Sequence, residues 1–137
     1  MTHVKVSMKT EAKAVLIVDD EQDMCWALGH IFRKAGYRAA MATTGREALE
    51  RVEQRAFPLT ILDAKLPDIE GLELATEIRK ISPATRILIV SGYFYQDDAE
   101  IQQAIKGGLI SGFIAKPFVH EDILNQVAQV MARTPQR

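Results

Sequence analysis

Short apolar runs alternate with longer amphipathic stretches along the chain, and the alternation occurs five times in 137 residues. Three of the apolar runs, 14–18, 59–62 and 86–90, are nearly continuous and rich in branched side chains. Such runs are typical of parallel strands that are buried on both faces of a sheet. Two weaker runs, 37–42 and 112–115, complete a set of five predicted strands.

The stretch after each predicted strand carries apolar residues at helical spacing, which predicts five helices. Capping-box spacings mark the beginnings of the second and fourth helices, at Thr44 with Glu47 and at Asp97 with Glu100. The predicted inward-facing positions of the first, third and last helices are Met24, Ala27, Leu28, Ile31 and Ala35, then Leu72, Leu74, Ala75, Ile78 and Ile81, and finally Ile123, Leu124, Val127, Val130 and Met131.

The single tryptophan of the chain, Trp26, falls on the outer side of the first helix, near His30 and Arg33. An outward tryptophan either covers apolar surface with its ring or contacts a partner protein. The pattern alone leaves both interpretations open.

Strands that alternate with helices through short connections indicate an α/β fold, with right-handed crossovers and helices on both faces of a parallel sheet. The length corresponds to one domain, which we assign to residues 14–132. Residues 1–13 are predicted to form a flexible N-terminal arm, and 133–137 a tail or a severed linker.

Composition excludes several classes of protein. The net charge of −1 is spread over the chain, without the basic patch of a nucleic-acid-binding or membrane-surface domain. No apolar run is long enough to span a membrane. The single cysteine, Cys25, excludes an internal disulfide and favours a reducing compartment, so we predict a cytoplasmic protein.

Four of the five predicted strands end in polar or charged residues, which are Asp19-Asp20, Asp63, Ser91 and Lys116. Because parallel strands present their carboxyl ends at one edge, these side chains are expected to meet there, where open α/β sheets bind ligands. Core packing alone does not predict this pattern, although any one of these residues could simply cap a turn.

Three carboxylates in one crevice repel each other unless a cation lies among them. Oxygen ligands without nearby histidine or cysteine suit Mg²⁺, which commonly adds a phosphate oxygen to its ligands. Asp63 stands alone at its strand end and is the predicted nucleophile, since carboxylates form aspartyl phosphates. Ser91 and Lys116 are the predicted ligands of the remaining phosphoryl oxygens.

Taken together, these motifs resemble the receiver domain of two-component response regulators. The matching segments in chain order are Val15-Leu16-Ile17-Val18-Asp19-Asp20-Glu21, Leu62-Asp63-Ala64-Lys65-Leu66-Pro67 with Gly71, Ser91, and Phe113 ahead of Lys116-Pro117-Phe118. The resemblance covers roughly residues 14–132. It implies a flavodoxin-like, doubly wound five-stranded parallel sheet of order 2-1-3-4-5, with a cis Lys116–Pro117 bond.

The resemblance also implies the function and the roles of the site residues. Asp63 is expected to receive phosphate from the phosphohistidine of a histidine kinase or phosphotransfer protein, or from a small acyl phosphate. Mg²⁺ is expected to be held by Asp20, Asp63 and the main-chain carbonyl of Lys65, with Asp19 acting through water. Ser91 and Phe113 are the expected switch pair for the surface of helix 4, strand 5 and helix 5, a possible homodimer interface. Kinase contacts near the first helix would involve Trp26.

Two departures from the family pattern affect the expected behaviour. Lys65 lies two residues past Asp63, and Tyr93 lies two residues past Ser91. In relatives, the residues at these positions affect how fast water reaches the acyl phosphate. The positive charge of Lys65 and the bulk of Tyr93 therefore predict a long-lived phosphoryl state. The segment from Ser91 to Phe113 is two or three residues longer than usual. Its Phe94 and Tyr95 are predicted to form either an output surface or part of the core and turn.

Three other functions fit parts of the pattern. A phosphohydrolase with an aspartyl-phosphate nucleophile would carry a second acid where Lys65 stands. A flavin binder needs a Ser/Thr/Gly loop after the first strand, where this chain has Asp19-Asp20-Glu21. A receiver that works only as a binding module would not need the full set of site residues.

Overall fold

The structure, a computed structural model, describes residues 13–133, so the predicted arm residues 1–12 and the tail residues 134–137 lie outside the described part. The strands are β1 (Ala14–Val18), β2 (Arg38–Ala42), β3 (Leu59–Asp63), β4 (Arg86–Ser91) and β5 (Gly112–Ala115). The helices are α1 (Gln22–Lys34), α2 (Gly45–Gln54), α3 (Gly71–Ile81), α4 (Ala99–Lys106) and α5 (His120–Ala132). Each predicted strand and helix is therefore present.

The five strands form one parallel sheet in the order β2-β1-β3-β4-β5, as the resemblance implied. Side chains of β1 alternate between the two faces, because successive residues of a strand point in opposite directions. Leu16 and Val18 lie in the core layer shared with α2, α3 and α4, whereas Val15 and Ile17 lie in the layer shared with α1 and α5. The molecule is thus a three-layer, doubly wound α/β domain.

Lys13 and Arg133, at the two ends of the described range, both contact the domain. The carbonyl of Lys13 accepts from Arg38 N at 2.8 Å, and its ammonium lies 5.6 Å from the ring centroid of Tyr37. Arg133 donates to the carbonyl of Ser111 at 3.3 Å. Within residues 13–133, no helix has both the length and the apolar composition that crossing a membrane requires.

The inner face of α1 differs from the predicted one. Cys25 and Phe32 are buried, whereas Ala27 is exposed and Met24 is only half-buried. The helix approaches the sheet on the side of Gly29, where a Cβ atom would lie 2.6 Å from Cε of Met41. Cys25, Leu28 and Phe32 also recur at helical spacing, so the buried stripe is a second apolar stripe, offset from the predicted one. Trp26 remains on the outer face, as predicted, and is 67% exposed.

Three smaller predictions were wrong. Ile81 and Leu124 are exposed, since each lies at the margin of its helix's apolar face. The cap of α4 is Asp98 rather than Asp97, and the Asp98 carboxylate accepts a hydrogen bond from Tyr95 N at 2.9 Å. The Asp98 side chain therefore closes the turn before the helix instead of forming a capping box.

Candidate functional site

The acidic loop after β1 is held in place by main-chain hydrogen bonds. Asp19 N donates to the carbonyl of Ala42 at 3.1 Å, which extends the pairing of β1 with β2 by one residue. The Asp19 carboxylate is only 3% exposed and accepts a hydrogen bond from Glu21 N at 2.9 Å. Asp20 is exposed. The loop therefore presents one buried and one open carboxylate at the carboxyl edge of the sheet.

Asp63 is the last residue of β3 and faces this loop. Carboxylate oxygens of Asp19, Asp20 and Asp63 all lie within 4.8 Å of one another. Such a cluster of carboxylate oxygens offers the hard ligands that a divalent cation prefers. The three acids that the sequence placed at one edge are thus in contact range in the structure.

Lys116 follows β5 and supplies the positive charge of the cluster. Its Nζ lies 3.1 Å from Oδ2 of Asp19 and 3.8 Å from Oδ1 of Asp63, and its side chain is 19% exposed. Lys116 N donates to the carbonyl of Ser91 at 2.9 Å, and the Lys116–Pro117 peptide bond is cis, as expected. The ammonium therefore lies between two strand-end carboxylates.

The charges of the cluster shift the pKa values of its members. Burial, followed by the charge of Asp19, raises the pKa of Asp63 to about 6, and Lys116 only partly opposes this effect. Burial lowers the pKa of the Lys116 ammonium, but its hydrogen bond to Asp19 and the charges of both acids outweigh burial and raise that pKa. An additional cation among the carboxylates would relieve the remaining repulsion.

Ser91 and Phe113 lie beneath the site. Ser91 is buried at the end of β4, and its Oγ accepts a hydrogen bond from Tyr93 N at 2.8 Å. A hydroxyl that accepts a bond still has its own proton to donate. Phe113 is buried in the core layer that contains Ile89 and Ile101. Ser91 is therefore at the end of its strand, whereas Phe113 lies two residues before the end of β5.

Lys65 makes contacts that sequence reasoning missed. Its Nζ lies 3.2 Å from Oε2 of Glu70 and 4.2 Å from the ring centroid of Tyr93. The Tyr93 ring in turn makes an edge contact with Phe94, with 4.9 Å between centroids. Lys65 thus joins the β3–α3 loop to the β4–α4 loop. The only sequence signal for its pairing with Glu70 was the turn around Pro67, which brings the two residues together.

Trp26 and Cys25 are neighbours in sequence but lie in different environments. The indole of Trp26 stacks on the ring of His30, with 5.9 Å between centroids. The buried Cys25 thiol lies 3.2 Å from the carbonyl of Asp19, and burial raises its pKa to about 11. Cys25 is therefore a packing residue beneath the acidic loop, whereas Trp26 is available at the surface.

Comparison with known proteins agrees with this geometry. Residues 15–128 match the family model described as the response regulator receiver domain. The chemotaxis protein CheY of Thermotoga maritima is 37% identical over 119 residues, which are 86% of this chain and 97% of CheY. The solved structure of the T. maritima response regulator TrrA, in complex with Mg²⁺ and BeF, superimposes with a TM-score of 0.74 at 28% identity, covering 86% of this chain and 98% of TrrA.

The transcriptional regulatory protein ZraR of Klebsiella oxytoca is 31% identical over 127 residues, which are 93% of this chain and 28% of ZraR. This chain therefore spans about a quarter of the length of the ZraR proteins, but nearly the whole of CheY. The match to the family model covers most of the chain, and the acidic pocket of Asp19, Asp20 and Asp63 fits a phosphoacceptor site. The chain belongs to the response regulator receiver domain family of two-component signalling proteins.

Proposed function

We propose that Asp63 is the phosphoacceptor of this receiver domain and takes its phosphoryl group from the phosphohistidine of a histidine kinase or phosphotransfer protein, or from a small acyl phosphate. The observation that carries the proposal is the position of Lys116 Nζ, which lies 3.1 Å from Asp19 and 3.8 Å from Asp63. A lysine so placed can neutralise an incoming phosphoryl group beside the carboxylate that attacks it.

The transfer forms a bond between an Asp63 carboxylate oxygen and phosphorus. It breaks the phosphorus–nitrogen bond of the donor, and the histidine nitrogen keeps the electron pair. With a small acyl phosphate, the phosphorus–oxygen bond breaks and a carboxylate leaves. The attacking carboxylate must be ionised. Because its pKa is about 6, the Asp63 side chain is mostly ionised at neutral pH and can attack phosphorus.

The donor set supports Mg²⁺ as the cofactor, because three carboxylates without histidine suit a hard cation. Asp20 and Asp63, with the main-chain carbonyl of Lys65, would hold the ion, and Asp19 would act through water. When bound, Mg²⁺ supplies positive charge that offsets the charge of the phosphoryl oxygens. The protein's own contribution is to keep the acids together and to retain Lys116 beside them.

The switch and its surface are also part of the proposal. In the phosphorylated protein, Ser91 would turn its hydroxyl toward the phosphoryl group. The ring of Phe113 would then stay in its inward, buried position. Phe113 belongs to β5 and Ser91 pairs with Ala115 of the same strand, so both adjoin the surface of α4, β5 and α5, through which we propose output and homodimerisation. We propose no direct contact with nucleic acid or membrane, and a cytoplasmic location. The domain would act as a signalling module rather than as an enzyme with a separate substrate.

Receiver domains interact with histidine kinases or phosphotransfer proteins in two-component systems. We propose that Trp26 contacts this partner. The indole borders a groove of about 460 Å³ between α1 and β2. The other residues that line this groove are Gln22, Asp23, Cys25, Met41, Thr43 and Glu47. Exposed aromatic rings are common hot spots of protein–protein interfaces, and α1 begins directly after the loop that carries Asp19 and Asp20.

The central experiment is intact mass spectrometry of the protein after incubation with acetyl phosphate, with and without Mg²⁺. We expect a gain of one phosphoryl group that requires Mg²⁺, and fragment masses that locate it on Asp63. No gain under either condition would contradict the proposal. Rapid turnover of p-nitrophenyl phosphate would instead favour the phosphohydrolase.

The contact between Lys65 and Tyr93 predicts slow loss of the phosphoryl group. The ammonium lies 4.2 Å from the ring centroid, so the two side chains join the β3–α3 loop to the β4–α4 loop, and we propose that this contact slows the access of water to Asp63. We expect Lys65→Ala and Tyr93→Ala each to accelerate the decay of radiolabelled protein about three- to tenfold, corresponding to about 1 kcal/mol of barrier. Tyr95→Ala, which removes an exposed ring from the same loop, is the control. Equal decay in all four proteins would contradict the prediction.

A further inference from the structure

The β3–α3 loop, residues 64–70, is closed at its base by the strand it follows. Gly71 N donates to the carbonyl of Ala64 at 2.7 Å, and Lys65 pairs with Glu70 in an isolated antiparallel bridge. A Cβ atom at Gly71 would lie 2.4 Å from the carbonyl oxygen of Asp63, so only glycine fits there without a shift of the main chain. The base of the loop is therefore tied closely to the end of β3.

The tip of the same loop is fastened to a different element, α2. Both carboxylate oxygens of Asp68 accept main-chain hydrogen bonds, from Gly45 N at 2.9 Å and from Arg46 N at 3.0 Å. These donors belong to the first two residues of α2, whose N–H groups have no acceptor within the helix. The two bonds lower the pKa of Asp68, so its carboxylate is ionised at neutral pH.

The third N–H of α2 has a separate acceptor. Glu47 N donates to the side chain of Thr44, the N-cap residue, at 3.0 Å. Packing reinforces the contact of Asp68, because a Cβ atom at Gly45 would lie 2.3 Å from Cγ2 of Ile69. The start of α2 therefore has two caps of different kinds: Thr44, which is local, and Asp68, which comes from the loop beside the acidic cluster.

We infer that Asp68 is a positioning residue of the phosphorylation site. By fixing the loop tip to α2, Asp68 holds the segment that carries the main-chain carbonyl of Lys65 in the conformation that completes the cation site. This inference rests on the proposed function, in which that carbonyl is a Mg²⁺ ligand. Its consequence is that Mg²⁺ affinity depends on a side chain that does not touch the ion.

Thr44 provides a matched control, because Thr44→Ala removes a cap from the same helix without touching the loop. We expect Asp68→Ala and Thr44→Ala to lower the melting temperature of the metal-free protein by similar amounts. Titration with MgCl₂, followed by amide NMR shifts, is expected to give a Kd about tenfold weaker for Asp68→Ala. Thr44→Ala should keep the wild-type Kd. Asp68→Asn retains one acceptor oxygen and should fall between wild type and Asp68→Ala.

The titration separates failure of this inference from failure of the proposed function. If the wild type binds Mg²⁺ and Asp68→Ala binds it equally well, the inference is overturned while the proposed function stands. Equal weakening in Asp68→Ala and Thr44→Ala would also overturn the inference, since the effect would then follow from the stability of α2. No binding by the wild type would overturn the proposed function itself, and the inference with it.

Discussion

Replacing Asp63 with asparagine is expected to give a protein that gains no phosphoryl group from acetyl phosphate and is nevertheless more stable than the wild type at pH 7. Asparagine has nearly the same shape but lacks the carboxylate that attacks phosphorus, so the mass shift should disappear. The gain in stability follows from the acidic cluster, where carboxylates of Asp19, Asp20 and Asp63 lie within 4.8 Å of one another.

The direction of the pH dependence follows from the pKa of Asp63, which rises from 3.8 to about 6 on folding. Between these values the folded state binds more protons than the unfolded chain, so unfolding becomes easier as the pH increases. The contribution of protonated Asp63 to stability is complete below 3.8 and is lost as the pH rises through about 6. At pH 7 the ionised side chain therefore lowers the free energy of unfolding, by about 1–3 kcal/mol.

Urea unfolding of wild type and Asp63→Asn between pH 4 and pH 7 measures this difference. The variant should be the more stable protein at pH 7, and its advantage should decrease toward pH 4. Mg²⁺ should raise the stability of the wild type more than that of the variant, which lacks one ligand. Asp97→Asn, at an exposed loop position, is the control. A variant that is less stable than wild type at pH 7, or that still gains a phosphoryl group, would contradict the prediction.

The fold was predictable because local pattern and global architecture agree at the strands. A run such as Ala14–Val18 is apolar on both faces, and its short length and branched side chains favour a parallel strand buried on both faces of a sheet. Once five strands alternate with five helices, the carboxyl ends lie at one edge. Asp19, Asp63 and Lys116 are far apart in sequence, yet the topology alone brings them together.

The sequence did not predict the buried face of α1 or the contacts of Asp68, because both depend on how helices and loops pack against one another. Cys25, Leu28 and Phe32 recur at helical spacing just as the predicted residues do, so periodicity alone did not decide which of the two stripes faces the sheet. The bonds from Asp68 to the start of α2 join residues 22 and 23 positions apart through a loop conformation with no signature of its own. Such contacts require the three-dimensional arrangement of loops, which hydrophobic patterning leaves undetermined.

Replacing Lys116 with methionine is expected to separate the stability of the site from its chemistry. Methionine keeps most of the length and the apolar part of the side chain but removes the charge. The nearly buried Asp19 would lose its partner at 3.1 Å, and the opposing effect of Lys116 on the pKa of Asp63 would disappear, so that pKa should rise above about 6. We expect the metal-free variant to lose about 2–4 kcal/mol of stability at pH 7.

Mg²⁺ should restore much of that stability, because a divalent cation among the carboxylates replaces the missing positive charge. The rate of phosphorylation by acetyl phosphate should nevertheless fall about 10²-fold at saturating Mg²⁺, since the ammonium beside the phosphoryl oxygens is not replaced. Urea unfolding with and without Mg²⁺, together with the time course of the mass shift, measures both effects. Lys106→Met, which removes an exposed lysine at the end of α4, is the control. If Lys116→Met were phosphorylated as fast as Lys106→Met, Lys116 would be a structural counter-ion of Asp19 and not a ligand of the phosphoryl group.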